Sequence, residues 1–234
     1  MRQQLRSQTS VGRRQFLQSS IPGIIAGLAT PAFLNVATAP RLVAQSNLTP
    51  EAAMRELLAG NERFAANRLT SIEQDLTVLK EKTVEKQEPF AAVLACADSR
   101  VPIELIFDQT IGHIFVTRVA GNMATPEIIA SLEYGVAVLG VEALLVLGHS
   151  SCGAVKAAMK ADAVPGQISV LYPPLRQAVE KSGGDVGKAI AANAQIQAEL
   201  LRTSSTVISK AVKEGKLKIE SAVYDLATGK VTLA

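Results

Sequence analysis

The sequence predicts an α/β protein in which helices flank a mostly parallel four-stranded sheet with an added edge strand. Two observations predict this class. Short apolar runs alternate along the chain with longer segments of helical periodicity, and such alternation is typical of parallel sheets covered by helices. The runs are almost continuously apolar, as expected for strands that are buried on both faces.

Two helices are expected before the first strand. Thr49 supplies an N-cap, followed by a first-turn proline, for a helix that runs towards Ala66. Ser71 and Gln74 have the spacing of a capping box and predict a second helix, which must end before Pro89.

Five segments are predicted strands, the last of them an edge strand after a Thr-Gly turn. They are residues 90–96, 114–118, 141–147, 218–224 and 230–233. Three further helices are expected between them, one capped by Thr125, one starting near Gly153 and a long one after Asp185. The candidate core positions of the first and the last of these helices are Ile128, Leu132, Val136 and Leu139, and Ile190, Ala194, Leu200 and Val207.

Composition limits the class of protein. The chain has 234 residues, of which 48% are hydrophobic and 19% charged, so disorder, collagen and coiled coil are excluded as descriptions of the whole chain. Residues 1–50 contain five arginines and no acidic residue, and without them 19 basic residues face 21 acidic ones. The rest of the chain is therefore slightly acidic, which argues against a nucleic-acid-binding domain.

The first 44 residues are predicted to be an export signal. Arg13 and Arg14 precede Gln-Phe-Leu, and an uncharged stretch follows over residues 21–39, so the segment resembles a twin-arginine translocation signal. We expect cleavage near Ala44, with an uncleaved anchor as the alternative, and a single folded domain over residues 45–234. The expected partner is the twin-arginine (Tat) translocation machinery. The expected location is the periplasm, the outer face of the cytoplasmic membrane or a thylakoid lumen.

Both cysteines and one of the two histidines follow predicted strand ends. Cys96 closes the first strand, and His149 and Cys152 follow the third. Open α/β sheets bind ligands beyond the carboxyl ends of their strands. Two thiolates and an imidazole make a three-ligand zinc set with an open fourth position, which favours a catalytic site. A Cys96–Cys152 disulfide, a pair of buried apolar cysteines and a structural His149 stay open as alternatives.

Two motifs then carry a family resemblance. Residues 96–102 read Cys-Ala-Asp-Ser-Arg-Val-Pro and residues 148–155 read Gly-His-Ser-Ser-Cys-Gly-Ala-Val. With the intervening segments 107–109, 115–122 and 131–134, they resemble the paired signatures of the β-class carbonic anhydrases over about residues 50–225.

The resemblance implies one Zn²⁺ per chain, held by Cys96, His149 and Cys152. It also implies reversible hydration of carbon dioxide to bicarbonate by zinc-bound hydroxide, which an Asp98–Arg100 dyad orients. Arg100 would hold the carboxylate off the metal, because a free carboxylate can itself ligate zinc.

The resemblance further implies substrate-pocket positions and an assembly. Gln87 matches a glutamine that a neighbouring protomer supplies, Phe115 and Tyr134 match pocket walls, and the Gly153 N–H is an additional donor. A homodimer is therefore expected, with a tetramer as a further possibility. His113 stands where many relatives carry an acidic residue, and we interpret it as a loop residue and not a ligand.

Rival functions are mostly excluded. The segment 148–153 spaces two glycines as a P-loop does, but Ala154 and Val155 stand where Lys and Ser or Thr are required. The His-x-Glu motif of zinc deaminases is missing. Two alternatives remain: a zinc hydrolase of the same fold that acts on carbonyl sulfide or carbon disulfide, and a non-enzymatic exported protein with a Cys96–Cys152 disulfide.

Overall fold

The computed structural model describes residues 48–71 and 76–234. The predicted export signal and Gln74 of the predicted capping box lie outside the described residues. Among the described helices, none is both long enough and apolar enough to cross a bilayer.

One five-stranded sheet organises the fold, and its strands lie in the order β2-β1-β3-β4-β5. The strands are β1 (Ala91–Ala95), β2 (Ile114–Arg118), β3 (Ala143–His149), β4 (Lys218–Tyr224) and β5 (Val231–Leu233). The first four strands pair in parallel, and β5 pairs antiparallel with β4 at the edge. The predicted fold class is confirmed.

Eight α-helices connect the strands within the described part of the chain. They are α1 (Pro50–Ala65), α2 (Leu76–Thr83), α3 (Ile103–Ile106), α4 (Pro126–Ala137), α5 (Gly153–Lys160), α6 (Tyr172–Lys181), α7 (Val186–Ser204) and α8 (Thr206–Lys213). The short α3, α6 and a 3₁₀ turn at Ile168–Leu171 are additions to the predicted elements. The predicted N-cap of α1 is present, since Thr49 Oγ1 accepts from the Ala52 N–H at 3.3 Å.

Two hydrophobic layers bury the sheet because successive strand residues point to opposite faces. On one face Val93 and Leu145 pack against α1 and α3. On the other face Leu94 and Val146 pack against α4, α7 and α8. The central strands β1 and β3 are buried along their whole length, as their continuous apolar sequences predict.

The predicted long helix after Asp185 is wrong in its continuity and in two core positions. The helix ends at Ser204, and Ser205 caps a new helix by accepting from the Ile208 N–H at 3.0 Å. Leu200 is 39% exposed, while the adjacent Leu201 is buried. Val207 is half-buried and Ile208 takes the core position. A serine can satisfy the first amides of a new helix, so the apolar stripe shifts at that point.

Candidate metal centre

The site lies where the two central strands end. Ala95 of β1 pairs in register with Leu147 of β3, so Cys96 and the end of β3 are neighbours at the carboxyl edge of the sheet. Cys152 is the N-cap residue of α5, which begins after a short turn from His149. Strand pairing and one short turn thus bring together residues that are 56 positions apart.

Three buried donor atoms meet at this edge. The donor atoms of Cys96, His149 and Cys152 all lie within 4.8 Å of one another. Both cysteines are free thiols, and their Sγ atoms are 4.0 Å apart. Two thiolates on a tetrahedral zinc ion, at about 2.3 Å each, lie about 3.8 Å apart. The spacing of the sulfurs therefore fits a shared metal ion.

The imidazole of His149 is oriented as a ligand. Its Nδ1 lies 3.0 Å from the Ser150 carbonyl oxygen, to which an Nδ1–H donates. That tautomer leaves a lone pair on Nε2, which is buried and has no hydrogen-bond partner among the described residues. A buried nitrogen without a partner is costly unless something occupies its lone pair. A zinc ion between Nε2 and the two sulfurs would satisfy it.

The surroundings of Cys96 and Cys152 change the pKa values of both thiols. A hydrogen bond from Cys152 lowers the pKa of the Cys96 thiol, although burial opposes this, and the Gly121 N–H at 3.4 Å from Sγ adds to the lowering. Sharing that proton and burial raise the pKa of Cys152 in turn. One member of the pair therefore ionises readily, and thiolates are the form that binds metals.

Asp98 and Arg100 form a forked ion pair beside the donor atoms. Arg100 Nε donates to Asp98 Oδ1 at 2.9 Å and Nη2 donates to Oδ2 at 2.8 Å. The backbone N–H of Arg100 also donates to Oδ1, at 3.0 Å. These bonds, led by those of the guanidinium, hold the pKa of Asp98 well below its usual range despite some burial. The carboxylate is thus a fixed anionic acceptor at neutral pH.

Comparison with known proteins agrees with this geometry. The family model described as carbonic anhydrase matches residues 91–231. Carbonic anhydrase 2 of Mycobacterium tuberculosis is 35% identical over 195 residues, which cover 80% of this chain and 94% of that protein. A carbonic anhydrase of Pseudomonas aeruginosa is 30% identical over 76% of this chain and 86% of its own.

The chain belongs to the β-class carbonic anhydrase family.

Solved structures of β-carbonic anhydrases share the fold. One from Aspergillus fumigatus superimposes with a TM-score of 0.64 and 26% identity, covering 77% of this chain and 90% of its own. One of two tetrameric β-carbonic anhydrases from Sordaria macrospora superimposes with a TM-score of 0.63 and 23% identity, covering 77% and 95%. The protein is thus an enzyme that hydrates carbon dioxide, and zinc is its cofactor. Neither the sulfur-substrate hydrolase nor the disulfide protein is favoured.

Two of the four predicted pocket residues of this carbonic anhydrase, Phe115 and Tyr134, lie away from the donor atoms of the same chain. Phe115 pairs in register with Ala92, four residues before Cys96, which corresponds to about 13 Å along a strand. Its ring is 6.3 Å from that of Tyr134, which is 47% exposed. Gln87 is exposed between α2 and β1. Gly153 does lie at the site, as the first residue of α5.

His113 lies in the turn before β2 and is exposed. Its Nδ1 lies 3.4 Å from Thr110 Oγ1. This agrees with its interpretation as a loop residue.

Sequence reasoning missed Arg118, which braces the loop between the ligand and the dyad. Arg118 Nε donates to the Cys96 carbonyl at 2.9 Å, and Nη2 donates to the Asp98 carbonyl at 2.5 Å.

Sequence reasoning also missed the buried amides of Asn193 and Gln197 on α7. A signal was present in the sequence, since both amides lie next to the apolar positions Ile190 and Ala194 on the predicted helix. Amides on the buried face of a helix usually have a hydrogen-bond partner, which indicates a specific contact.

Proposed function

We propose that Cys96, His149 and Cys152 hold one zinc ion per chain, and that Asp98 and Arg100 orient the reacting water in the hydration of carbon dioxide. One observation carries this assignment: three buried metal-binding atoms lie within 4.8 Å of one another in a member of this family. When bound, zinc supplies a water molecule whose pKa is lowered towards neutrality.

Asp98 is suited to accept a hydrogen bond from that water. Its Oδ2 lies 3.8 Å from His149 Nε2, at the border of the donor set. The pairing with Arg100 keeps the carboxylate ionised, as its lowered pKa indicates. An ionised carboxylate can only accept hydrogen bonds, so it fixes the orientation of the water next to it. The lone pair of the water oxygen is then directed away from Asp98, towards the substrate.

Arg100 holds Asp98 in place. The side chain of Arg100 is 53% exposed and that of Asp98 only 17%, so the guanidinium shields the carboxylate from the solvent side. Two parallel N–H···O bonds fix the plane of the carboxylate as well as its position. Without them the carboxylate could turn about its side-chain bonds towards the metal position.

We infer that a second copy of the chain completes the substrate pocket. Phe115 and Tyr134 lie away from the donor atoms of their own chain, and Gln87 is exposed before β1, whose far end leads to Cys96. Carbon dioxide is uncharged and suits an apolar wall with a few polar groups. The tetrameric relatives from Sordaria macrospora support an assembly of this kind. The proposed unit is a homodimer, from which a tetramer could form.

We further propose that residues 1–44 direct export through the twin-arginine route, to the periplasm, the outer face of the cytoplasmic membrane or a thylakoid lumen. The Arg13-Arg14 pair before Phe-Leu supports this proposal. Folding and zinc uptake before export would keep two neighbouring thiols from oxidation to a disulfide. Replacing both arginines by lysine should retain active precursor in the cytoplasm, and unchanged export would exclude this route.

The central experiment is a carbon dioxide hydration assay on purified protein of known zinc content. We expect one zinc per chain, and loss of both zinc and activity in Cys96→Ser, Cys152→Ser and His149→Ala, because a hydroxyl or a methyl group is a poor replacement for these ligands. His113→Ala is the matched control, since His113 is the other histidine of the chain and is exposed. Full zinc content in the three ligand variants would refute the assignment.

A further inference from the structure

Two buried amides on α7 face the loop that follows β2. Asn193 is 1% exposed and Gln197 is 2% exposed, and residues four apart lie on one helix face. Gln197 Nε2 donates to Asn193 Oδ1 at 3.2 Å. Burying two amides costs free energy that apolar residues would not cost, unless hydrogen bonds compensate it.

The other hydrogen bonds of the two amides go to residues 121–124. Asn193 Nδ2 donates to the Gly121 carbonyl at 2.8 Å and lies 3.4 Å from Asn122 Oδ1. Gln197 Oε1 accepts from the Ala124 N–H at 2.9 Å. Both ends of this short loop are therefore fixed to one rigid helix by side-chain hydrogen bonds.

The same loop touches the metal centre. The Gly121 N–H donates to Cys96 Sγ at 3.4 Å, within the range of hydrogen bonds to sulfur. Gly121 has a φ of +79°, a conformation that strains other residues. Its N–H can thereby face Cys96 while its carbonyl faces Asn193.

We propose that Asn193 and Gln197 are positioning residues that hold the Gly121 N–H against the Cys96 thiolate and so set the strength of the metal site. The inference rests on the proposed assignment of Cys96 as a ligand. It assigns a role in the metal centre to two side chains whose hydrogen bonds go to the loop and to each other, and not to Cys96, His149 or Cys152.

The physical reason lies in the sulfur. A hydrogen bond to a thiolate fixes the position of the sulfur, and it also withdraws electron density from the sulfur. If the loop were released, Cys96 Sγ would lose a contact that holds it beside the other two donor atoms, and metal affinity would fall. The charge of the sulfur would also be more available to a bound metal, and the absorption spectrum of that metal would change. Partners in the outer shell of metal sites typically change metal affinity by 10–100-fold.

Cobalt in place of zinc makes this effect visible. We expect Asn193→Ala to shift the thiolate-to-cobalt absorption band to longer wavelength, because a thiolate without its N–H donor gives up charge more easily. We also expect zinc affinity, measured by competition with a chelator at neutral pH, to fall by about 10–100-fold. Gln197→Ala removes the hydrogen bond to the Ala124 N–H at the other end of the loop. It should shift the absorption band and the zinc affinity in the same directions as Asn193→Ala, but by smaller amounts.

Asn61→Ala is the matched control. Asn61 is a buried amide on α1, 4% exposed, that bonds backbone groups far from the metal ligands in sequence, through Nδ2 to the Ile106 and Gly229 carbonyls and through Oδ1 to the Val231 N–H. It should lower stability without moving the cobalt band.

Three outcomes decide between the possibilities. A shifted band in the α7 variants and an unchanged band in Asn61→Ala support the inference. Wild-type bands and zinc affinity within about twofold of wild type in both α7 variants would overturn it and leave the zinc assignment intact. Absence of a thiolate-to-cobalt band in the wild-type protein would overturn both. Gln197→Ala decides alone if Asn193→Ala does not fold.

Discussion

Asp98 Oδ2, the carboxylate oxygen that Arg100 Nη2 holds, lies 3.8 Å from His149 Nε2. In the proposed site, a turn of the Asp98 side chain away from Arg100 would bring this oxygen towards the metal. We therefore propose that the forked pairing with Arg100 separates a carboxylate that orients water from one that competes with water for the metal.

Asp98→Ala and Arg100→Ala should differ in their dependence on pH. Asp98→Ala should keep zinc and lose at least about a hundredfold in rate at every pH, because no acceptor orients the water. Arg100→Ala frees the carboxylate to occupy the open metal position. Hydroxide competes better for that position as pH rises, so the activity of this variant should recover partly at alkaline pH. Superimposable pH–rate profiles would contradict the role of Arg100.

Mixing two inactive variants tests whether a second copy supplies Gln87. Gln87→Ala retains the three ligands, and Cys96→Ser retains Gln87. If Gln87 serves the site of the neighbouring chain, mixed dimers hold one complete site. Activity should then reappear when the two variants are unfolded and refolded together, and not when either is refolded alone. Mixtures as inactive as the separate variants would place Gln87 outside the neighbouring site.

Asp108 should make the fold sensitive to acid. Its side chain is fully buried, and it accepts from Arg63 Nε at 2.5 Å and from the N–H groups of Thr70 and Ser71 at 2.9 and 2.8 Å. Burial opposes ionisation, but these hydrogen bonds, led by Arg63, outweigh it and hold the pKa of Asp108 below its usual range. The stabilisation is therefore present above the unfolded pKa of about 3.9 and is lost as pH falls below it.

Urea unfolding at pH 7, 5, 4 and 3 measures this contribution. Asp108→Asn should lower the free energy of unfolding at pH 7 by about 3 kcal/mol, because Arg63 loses its buried partner. The difference between wild type and variant should narrow towards pH 3. Asp162→Asn is the control, since Asp162 is an exposed carboxylate of the same kind. A difference that stays constant with pH would contradict ionisation as the cause.

Gly60 should resist the substitution that helices usually favour. Alanine in place of glycine within a helix normally stabilises by about 1 kcal/mol. A Cβ on Gly60 would lie 1.9 Å from the backbone oxygen of Phe107, where α1 packs against the end of α3. We therefore expect Gly60→Ala to destabilise by about 1–3 kcal/mol in thermal or urea unfolding.

A second helical glycine controls for this effect. The Cβ of Gly187→Ala would meet only the side-chain oxygen of Asp185, at 3.2 Å. That oxygen also caps α7 by accepting from the Lys188 N–H at 2.7 Å. A contact at 3.2 Å needs a much smaller shift than one at 1.9 Å to a backbone oxygen, so the effect should be smaller. Equal stability changes in the two variants would show that the close approach of α1 to Phe107 is not the cause.

The break between α7 and α8 at Ser205 shows where hydrophobic periodicity gives a wrong prediction. Apolar residues continue across the break, so periodicity predicts one helix, yet the capping bond to the Ile208 N–H ends α7 and moves the core position from Val207 to Ile208. Leu200 is exposed for a related reason, since the contact face of α7 is decided by its packing on β3 and β4 and not by hydrophobicity alone.

The sequence by itself determined the class of fold and the chemical identity of the metal centre. Continuous apolar strands that alternate with helical segments predict a parallel sheet covered by helices. Cys96, His149 and Cys152 follow the ends of its central strands. Only the tertiary structure decided which distant groups support these residues. Arg118, Asn193 and Gln197 reach the site through side-chain hydrogen bonds between separate elements, and such contacts have no period or spacing along the chain.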